Sequence, residues 1–379
     1  MGRKSVVAAT GAGQHGVATA AAACAKLSLE CTIFMGSRDM ERQPSNVVLM
    51  NLLGAQVKCI DGSFKDATSE AIRSWVGNLE TSYYLAGTAV GPHPCPTMVR
   101  EFQAIIGKET RKQAMEKWGG KPDVLVACVG TGSNALGLFH EFLRDEDVRL
   151  IGVEAAGASI DGGRHSATLA RGDVGVYHGA MSYFVAGRGR ANSWGTFYWR
   201  WCERQKILES LRDLCRLISV GEKSCFSLGD FELSRGIGKI PCPSHGIPKL
   251  EYPGVSPELS FLKDIGRAEF YTVTDQEALD AYRRLCRLEG IFPALEASHA
   301  LAFLEKLCPT LPHGTKVVVN CSGRGDKDAA TSKSTDVTVA GAITMAEPAE
   351  VVDCDCSPMT YTVTNNCTQS WLAFSSVSS

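Results

Sequence analysis

The stretch VVAATGAGQHGVATAAAACAKL, residues 6–27, decides the fold class of this chain. Residues 6–8 have the apolar pattern of a short strand, and residues 16–27 have the alanine-rich pattern of a helix. A glycine-rich loop joins them, so the stretch is one strand–loop–helix unit. A chain that repeats this unit builds a mostly parallel sheet with helices on both faces.

The same alternation extends to about residue 155. Further strands are predicted at 31–35, 56–60, 123–129 and 149–153, and helices at 46–53, 67–76 and 134–143. The pattern resumes at residue 250, with helices predicted at 275–288 and 294–307 and a strand at 316–320. The apolar strands are typical of strands buried on both faces. We therefore expect an α/β fold.

Composition excludes several classes of protein. The 379 residues are 44% hydrophobic and 21% charged, as in soluble globular proteins. A net charge of −2 argues against a nucleic-acid or anionic-membrane partner. No apolar run approaches the ~20 residues that span a bilayer. The fifteen cysteines form no CxxC pair, so we expect free thiols in a reducing compartment and no metal site.

Two segments depart from the α/β pattern. Residues 185–247 carry ten basic and six acidic residues, together with several tryptophans. Basic and aromatic residues together are typical of a nucleic-acid or partner-binding insertion, but we favour an insertion that packs poorly. Residues 329–379 are rich in Ser and Thr and show no strong periodicity, so we expect disorder there.

Three glycine-rich loops follow predicted strands, at the sheet edge where ligands bind in parallel α/β folds. In the first loop, residues 10–15, glycines turn backbone N–H groups inward before a helix, which suits a carboxylate. Thr10, Gln14 and His15 supply further hydrogen-bonding groups. The alternative is an ordinary tight turn.

The second loop, residues 130–134, opens a helix and suits a phosphate dianion. It lacks the GK[ST] ending of a P-loop and the GxGxxG spacing of a dinucleotide site. A simple phosphate, such as that of pyridoxal phosphate, fits better than a nucleotide. The alternative is a strand–helix turn with Ser133 as its cap.

The third loop, residues 322–328, follows the last predicted strand. Ser322 has a hydroxyl suited to a ring nitrogen. Arg324, Asp326 and Lys327 are expected to form a salt-bridge network that holds the loop. A surface turn is the alternative.

Taken together, these strings resemble the tryptophan synthase β-chain family, which has the fold of the fold-type II pyridoxal-phosphate enzymes. The resemblance covers residues 5–184 and 250–328 and rests on the strings at 10–15, 39–43, 91–94, 100–103, 130–134, 154, 293–296 and 320–328. The tracts at 108–113 and 118–129 are most similar to plant-type members. That similarity implies a soluble protein of the plastid stroma, or of the cytoplasm if the plant-type likeness fails.

The resemblance implies replacement of the L-serine hydroxyl by indole to give L-tryptophan, with pyridoxal 5'-phosphate as cofactor and room for a monovalent cation. It also implies a β–β homodimer within an α2β2 complex, with indole supplied by the tryptophan synthase α subunit. The expected architecture is two three-layer α/β lobes around the cofactor. Residues 5–105 form an incomplete N-terminal lobe with a mobile communication domain, and residues 106–184 and 249–328 form the pyridoxal-phosphate-binding lobe. The insertion at 185–248 and the tail at 329–379 are atypical of the family.

Site residues follow from the resemblance position by position. Ser322 is expected to face the pyridine nitrogen, and Glu296 to lie near the cofactor ring. Arg42 and Glu251 are expected to form the ion pair of the closed state. The phosphate is assigned to Gly130, Gly132, Ser133 and Asn134. The substrate carboxylate is assigned to Thr10, Gly11, Ala12, Gly13, Gln14 and His15.

The sequence departs from the family at the catalytic groups. The family's Schiff-base lysine lies in an HKxN-type string of an N-terminal part, on the order of 100 residues, that has no counterpart here before Met1. We assign no catalytic lysine. The family's acid–base glutamate is replaced by Ala9, and such a group contributes roughly 10²–10⁴-fold in rate. Thr131 replaces a glycine of the phosphate loop.

Three interpretations stay open: an active tryptophan synthase β chain, a catalytically impaired or truncated pseudoenzyme that binds a partner subunit, and another fold-type II lyase such as a serine dehydratase or cysteine synthase relative. The strings at 41–43 and 91–94 favour the tryptophan synthase branch over the last. Ala9 and the absence of an HKxN-type string favour the pseudoenzyme over the active chain.

Overall fold

The computed structural model describes residues 2–162, 165–185, 252–325 and 328, and the backbone of two later strands, Tyr361–Asn365 and Trp371–Phe374. All of these belong to one unit, formed by Met1–Val185 with Pro243–Ser379. The described part contains a four-stranded sheet, a six-stranded sheet and a two-stranded hairpin.

The four-stranded sheet has the order β3-β2-β1-β4, and all its strands are parallel. A π-helical turn, His15–Ala21, precedes the first helix of this lobe. The elements are β1 (Ser5–Thr10), α1 (Ala22–Leu27), β2 (Glu30–Gly36), α2 (Ser37–Arg42), α3 (Pro44–Leu52), β3 (Gln56–Ile60), α4 (Phe64–Val76) and β4 (Ser82–Tyr84).

Side chains on β1 alternate between two apolar clusters. Val6 and Ala8 belong to one cluster with Met50 of α3, and Val7 and Ala9 belong to another with Ala67 of α4. Because successive side chains on a strand point to opposite faces, the sheet is covered on both sides. This lobe therefore has three layers.

The six-stranded sheet has the order β12-β11-β10-β5-β6-β9, parallel except at β12. Its strands are β5 (Val124–Cys128), β6 (Arg149–Ala155), β9 (Glu269–Val273), β10 (Val317–Cys321), β11 (Tyr361–Asn365) and β12 (Trp371–Phe374), and the hairpin is β7 (Asp173–Tyr177) with β8 (Ala180–Phe184). The helices are α5 (Cys95–Gln103), α6 (Ile105–Trp118), α7 (Ser133–Phe139), α8 (Thr168–Arg171), α9 (Pro257–Asp264), α10 (Asp275–Glu289) and α11 (Leu295–Leu307).

The second sheet is also buried on both faces. Leu125 and Ala127 of β5 pack in a cluster with Phe139 of α7. Val124 and Val126 pack on the opposite face in a cluster that includes Ala297 of α11. The expected arrangement of two three-layer α/β lobes is confirmed.

The tail differs from the expectation of disorder at two places. β11 pairs parallel with β10, and β12 pairs antiparallel with β11. The edge of β10 offers unpaired backbone groups, and Tyr-Thr-Val-Thr-Asn of β11 has the β-branched and aromatic residues that suit a strand. The rest of the tail, and the insertion from residue 186 onwards, lie outside the described residues.

Within the described ranges, no helix is both long and apolar enough to cross a membrane. The cysteines described by the structure are free thiols, and five of the eight are buried.

Candidate functional site

The three glycine-rich loops follow β1, β5 and β10, and the fold brings them together. A Cβ atom placed on Gly323 of the third loop would lie 3.3 Å from Gln14 Oε1 of the first. Asn134 Nδ2 of the second loop donates to Ser322 Oγ of the third at 3.2 Å. The site predicted from three separate strings is thus one place between the two lobes.

The first loop is held by its own threonine. Thr10 is buried, and its Oγ1 accepts hydrogen bonds from Gly13 N at 3.1 Å and Gly16 N at 3.4 Å. Gly13 has φ +82, and a Cβ atom there would lie 2.5 Å from Asn46 Cβ. Only glycine tolerates both the backbone conformation and this close approach.

The side chains of Gln14 and His15 point in different directions. Gln14 reaches the third loop, as described above. The imidazole of His15 donates from Nε2 to Leu85 O at 3.0 Å, and burial lowers the pKa of His15 below its usual value. His15 is therefore neutral and its ring is held within the N-terminal lobe. Any contribution of His15 to a carboxylate would come from its backbone N–H.

The second loop needs glycine at its helix start. Gly132 has φ +97, and a Cβ atom there would lie 2.2 Å from Leu259 Cδ1 of α9. Thr131 O accepts from Ser256 N at 2.9 Å, so Thr131 anchors the loop to the start of α9 through its backbone. Ser133 begins α7 directly after this turn.

Ser322 lies in a compact polar cluster. Asn134 Nδ2 is 3.2 Å from Ser322 Oγ and 3.5 Å from Cys128 Sγ. Burial, together with the nearby charge of Glu296, raises the pKa of Cys128 to about 11, so Cys128 stays a neutral thiol. Glu296 thus lies near Cys128, and its place beside the cofactor ring stays a prediction. The Asn134 side chain is occupied by Ser322, which leaves its backbone N–H for a phosphate.

Asn320 lies beneath the second loop. It is fully buried, and its Nδ2 donates to Asn134 O at 3.3 Å. Its Oδ1 is buried without a hydrogen-bond partner among the described residues. A buried acceptor without a partner lowers the stability of the fold. Asn320 Oδ1 can therefore accept one more hydrogen bond than it receives here.

The predicted closure ion pair is only half described. Arg42 is the last residue of α2 and is half-buried. Glu251 lies outside the described residues, so the pair stays a prediction. Ala9 is 5% exposed and packs in an apolar cluster with Phe34. Its methyl group has no proton to transfer.

Four residues of this region were not assigned to the site from the sequence, although Gln43 belongs to the string at 39–43. Asn46 and Gln43 are almost fully buried and join the first loop to the third. Their spacing of three residues, across the start of α3, places both side chains on one helix face and is the signal that would have found them. His178, in the turn of the hairpin between β7 and β8, shares a hydrogen bond with Tyr252. No local sequence pattern predicts that contact, because it joins residues that are far apart in the sequence.

Pyridoxal phosphate can be tested against these residues. The glycine turn at Gly132, the Ser133 hydroxyl and the start of α7 match the donors that a phosphate dianion needs. Ser322 Oγ accepts from Asn134 Nδ2 at 3.2 Å and lies 3.9 Å from Cys128 Sγ, and its hydroxyl can rotate to donate to a ring nitrogen instead. The residues present fit the phosphate and ring ends of the cofactor. The sequence contains no HKxN-type string for its aldehyde end.

The match to a known family agrees with this site. The model of the family described as "Pyridoxal-phosphate dependent enzyme" matches residues 1–190 of the chain, half of its length. The parallel α/β lobes confirm the fold-type II architecture expected from the sequence. The chain belongs to the pyridoxal-phosphate dependent enzyme family.

Proposed function

We propose that this is a site of the tryptophan synthase β kind, which replaces the hydroxyl of L-serine by indole to give L-tryptophan. The observation that carries the proposal is the meeting of the three loops, with Gln14 against Gly323 and Asn134 against Ser322. The family strings at 41–43 and 91–94 support this branch over other fold-type II lyases.

The residues have distinct parts in the proposal. Backbone N–H groups of the first loop, held in place by Thr10, bind the amino-acid carboxylate. The second loop binds the phosphate of the cofactor, and Ser322 orients the ring through its nitrogen. When bound, pyridoxal phosphate supplies an electron sink for loss of the serine hydroxyl. A hydroxyl at the ring nitrogen, rather than a carboxylate, suits a pyridine that stays unprotonated.

The proposed reaction needs a proton-transferring group, and the chain lacks one at position 9. Ala9 leaves no acid–base group at the position that the family uses, and the loss is roughly 10²–10⁴-fold in rate. We therefore expect slow turnover from the chain as it stands. We also propose a tryptophan synthase α subunit and a second β chain as its partners, because family members work in such complexes.

A second candidate is a pseudoenzyme that retains the site without the chemistry. The specific observation in its favour is Ala9, whose side chain packs in an apolar cluster instead of facing a proton donor or acceptor. This candidate differs from the first in turnover alone.

Product analysis with a matched pair of variants distinguishes the enzyme from the pseudoenzyme. The chain would be incubated with pyridoxal phosphate, L-serine and indole, and tryptophan and pyruvate measured by chromatography. Ala9→Glu and Ala9→Gln add nearly the same volume, so their difference isolates the carboxylate. We expect Ala9→Glu to form tryptophan roughly 10²-fold faster than Ala9→Gln or the unaltered chain.

Each other outcome has a meaning. Pyruvate without tryptophan would identify a serine dehydratase-like lyase. Neither product from any variant, with cofactor bound, would support the pseudoenzyme and contradict the proposal.

A further inference from the structure

Asn46 is an almost fully buried amide between the first and third loops. It lies in the first turn of α3 and is 1% exposed. Its Nδ2 donates to Ala12 O at 2.9 Å and to Gln43 Oε1 at 3.1 Å. Its Oδ1 accepts from Arg324 Nη2 at 3.3 Å. Both hydrogens and the oxygen of the amide are thus engaged, on three different partners.

The partners of Asn46 lie in different lobes. Ala12 belongs to the first loop, which follows β1 of the four-stranded sheet. Arg324 belongs to the third loop, which follows β10 of the six-stranded sheet. Asn46 therefore spans the boundary between the lobes with one side chain, and its Cβ fills the space that the absent side chain of Gly13 leaves.

Gln43 adds a second link across the same boundary. Its Nε2 donates to Asp328 Oδ1 at 3.4 Å, and Asp328 Oδ2 accepts from Leu295 N at 3.2 Å. Leu295 is the first residue of α11, next to Glu296. The chain of hydrogen bonds thus runs from the first loop through Asn46 and Gln43 to the helix that carries a cofactor-site residue.

We infer that Asn46 is a positioning residue that couples the conformation of the first loop to that of the third. Among the described residues, the two loops also approach each other at Gln14 and Gly323, and a fully satisfied buried amide is a rigid connection. The bearing of this coupling on substrate binding rests on the proposed function. The coupling itself is a property of the unliganded chain.

The coupling can be tested by changing a residue of the third loop and measuring hydrogen exchange in the first loop by mass spectrometry. Arg324 lies in the lobe opposite the first loop. Arg324→Lys removes the planar guanidinium that donates to Asn46 Oδ1. We expect it to speed exchange in the peptide spanning residues 10–16 about fivefold, the factor that corresponds to the loss of one buried hydrogen bond. Faster exchange confined to residues 320–325 would contradict the inference.

A double-mutant cycle shows whether the effect passes through Asn46. Asn46→Asp cannot donate to Ala12 O or Gln43 Oε1, so in this background we expect Arg324→Lys to add nothing to exchange in residues 10–16. Asn51→Asp, an exposed position on the same helix, is the matched control background and should leave the fivefold effect intact. An equal effect of Arg324→Lys in the Asn46→Asp background would overturn the inference.

The result stays interpretable if a variant is unstable. Should Asn46→Asp fail to fold, Asn46→Ala provides the second background, and the single Arg324→Lys variant decides whether the loops are coupled at all. No ligand is added, so failure of this test leaves the proposed function standing. Failure of tryptophan formation likewise leaves the coupling standing.

Discussion

Burial controls the chemistry of single residues in this fold, and Glu154 shows it most clearly. Glu154 is at the end of β6 with no exposed surface, and its carboxylate accepts from Leu169 N at 2.8 Å and Ala170 N at 2.9 Å. Burial raises the pKa of Glu154 from 4.5 to about 7, although these N–H donors and the charge of Lys263 oppose the rise. The carboxylate therefore ties α8 to β6 at an electrostatic cost that depends on pH.

The sign of that dependence follows from the raised pKa. The folded chain holds the Glu154 proton up to about pH 7, whereas the unfolded chain releases it near 4.5. The contribution to stability is therefore fully present below pH 4.5 and is lost as pH rises through 7. We expect the unfolding free energy of the unaltered chain to fall by ~3 kcal/mol more than that of Glu154→Gln between pH 4.5 and 8.

Urea unfolding at the two pH values measures this difference. Glu146→Gln, at an exposed position, is the matched control and should keep the full pH dependence of the unaltered chain. An identical pH dependence in Glu154→Gln would contradict this prediction, because it would show that the pKa of Glu154 is the same in the folded and unfolded chains.

Single side chains also fix whole elements. Arg267, just before β9, donates to the carbonyl oxygens of four residues between α7 and β6: Phe142, Leu143, Asp145 and Val148, at 2.8–3.0 Å. The guanidinium replaces the missing backbone partners of a helix end and a turn. It therefore holds the connection that delivers β6 to the sheet.

We expect Arg267→Lys to lower the unfolding free energy by about 2 kcal/mol, because an ammonium cannot match the planar fork that satisfies four carbonyls. Thermal or urea unfolding checks this value. Arg287→Lys, an exposed arginine on α10, is the control. A loss as small as that of the control would mean that water satisfies the carbonyls equally well.

Elements with a strong local pattern were predictable from the sequence. β3 was predicted at 56–60 and occupies those residues, and the helix predicted at 275–288 is α10. Strands β4 and β9 were not predicted, because both are short, half-exposed edge strands with mixed polarity. β11 and β12 depend on the open edge of β10, which no local pattern reveals.

At the scale of the whole molecule, the described residues of the two lobes meet through two kinds of contact. One is the polar set of Asn46, Gln43 and Gln14. The other is aromatic: the rings of Phe64 and Tyr252 lie 5.7 Å apart, and His178 Nε2 lies 3.3 Å from Ser69 Oγ. Both sets surround the three loops, so the relative position of the lobes determines the geometry of the site.

The three loops of the candidate site were predictable from the sequence, but the hydrogen bonds between their side chains were not. Glycines, a serine and an asparagine after apolar strands indicated a carboxylate and a phosphate, and the fold places those loops together. The roles of individual side chains came only from the structure. Asn134 turns its amide to Ser322 and His15 turns its ring to Leu85, because neighbours distant in sequence supply their partners.

The central claim is that these loops form a site for pyridoxal phosphate, and the affinity of the purified chain for pyridoxal phosphate against pyridoxal tests it most directly. An absorbance titration of each compound needs no covalent lysine. We predict that the phosphate ester binds at least about tenfold more tightly, since charge-assisted hydrogen bonds to a phosphate contribute on the order of 1.5–3 kcal/mol. Ser133→Ala should reduce that preference, and Ser69→Ala, away from the second loop, should keep it. Equal affinity for the two compounds in the unaltered chain would contradict the account.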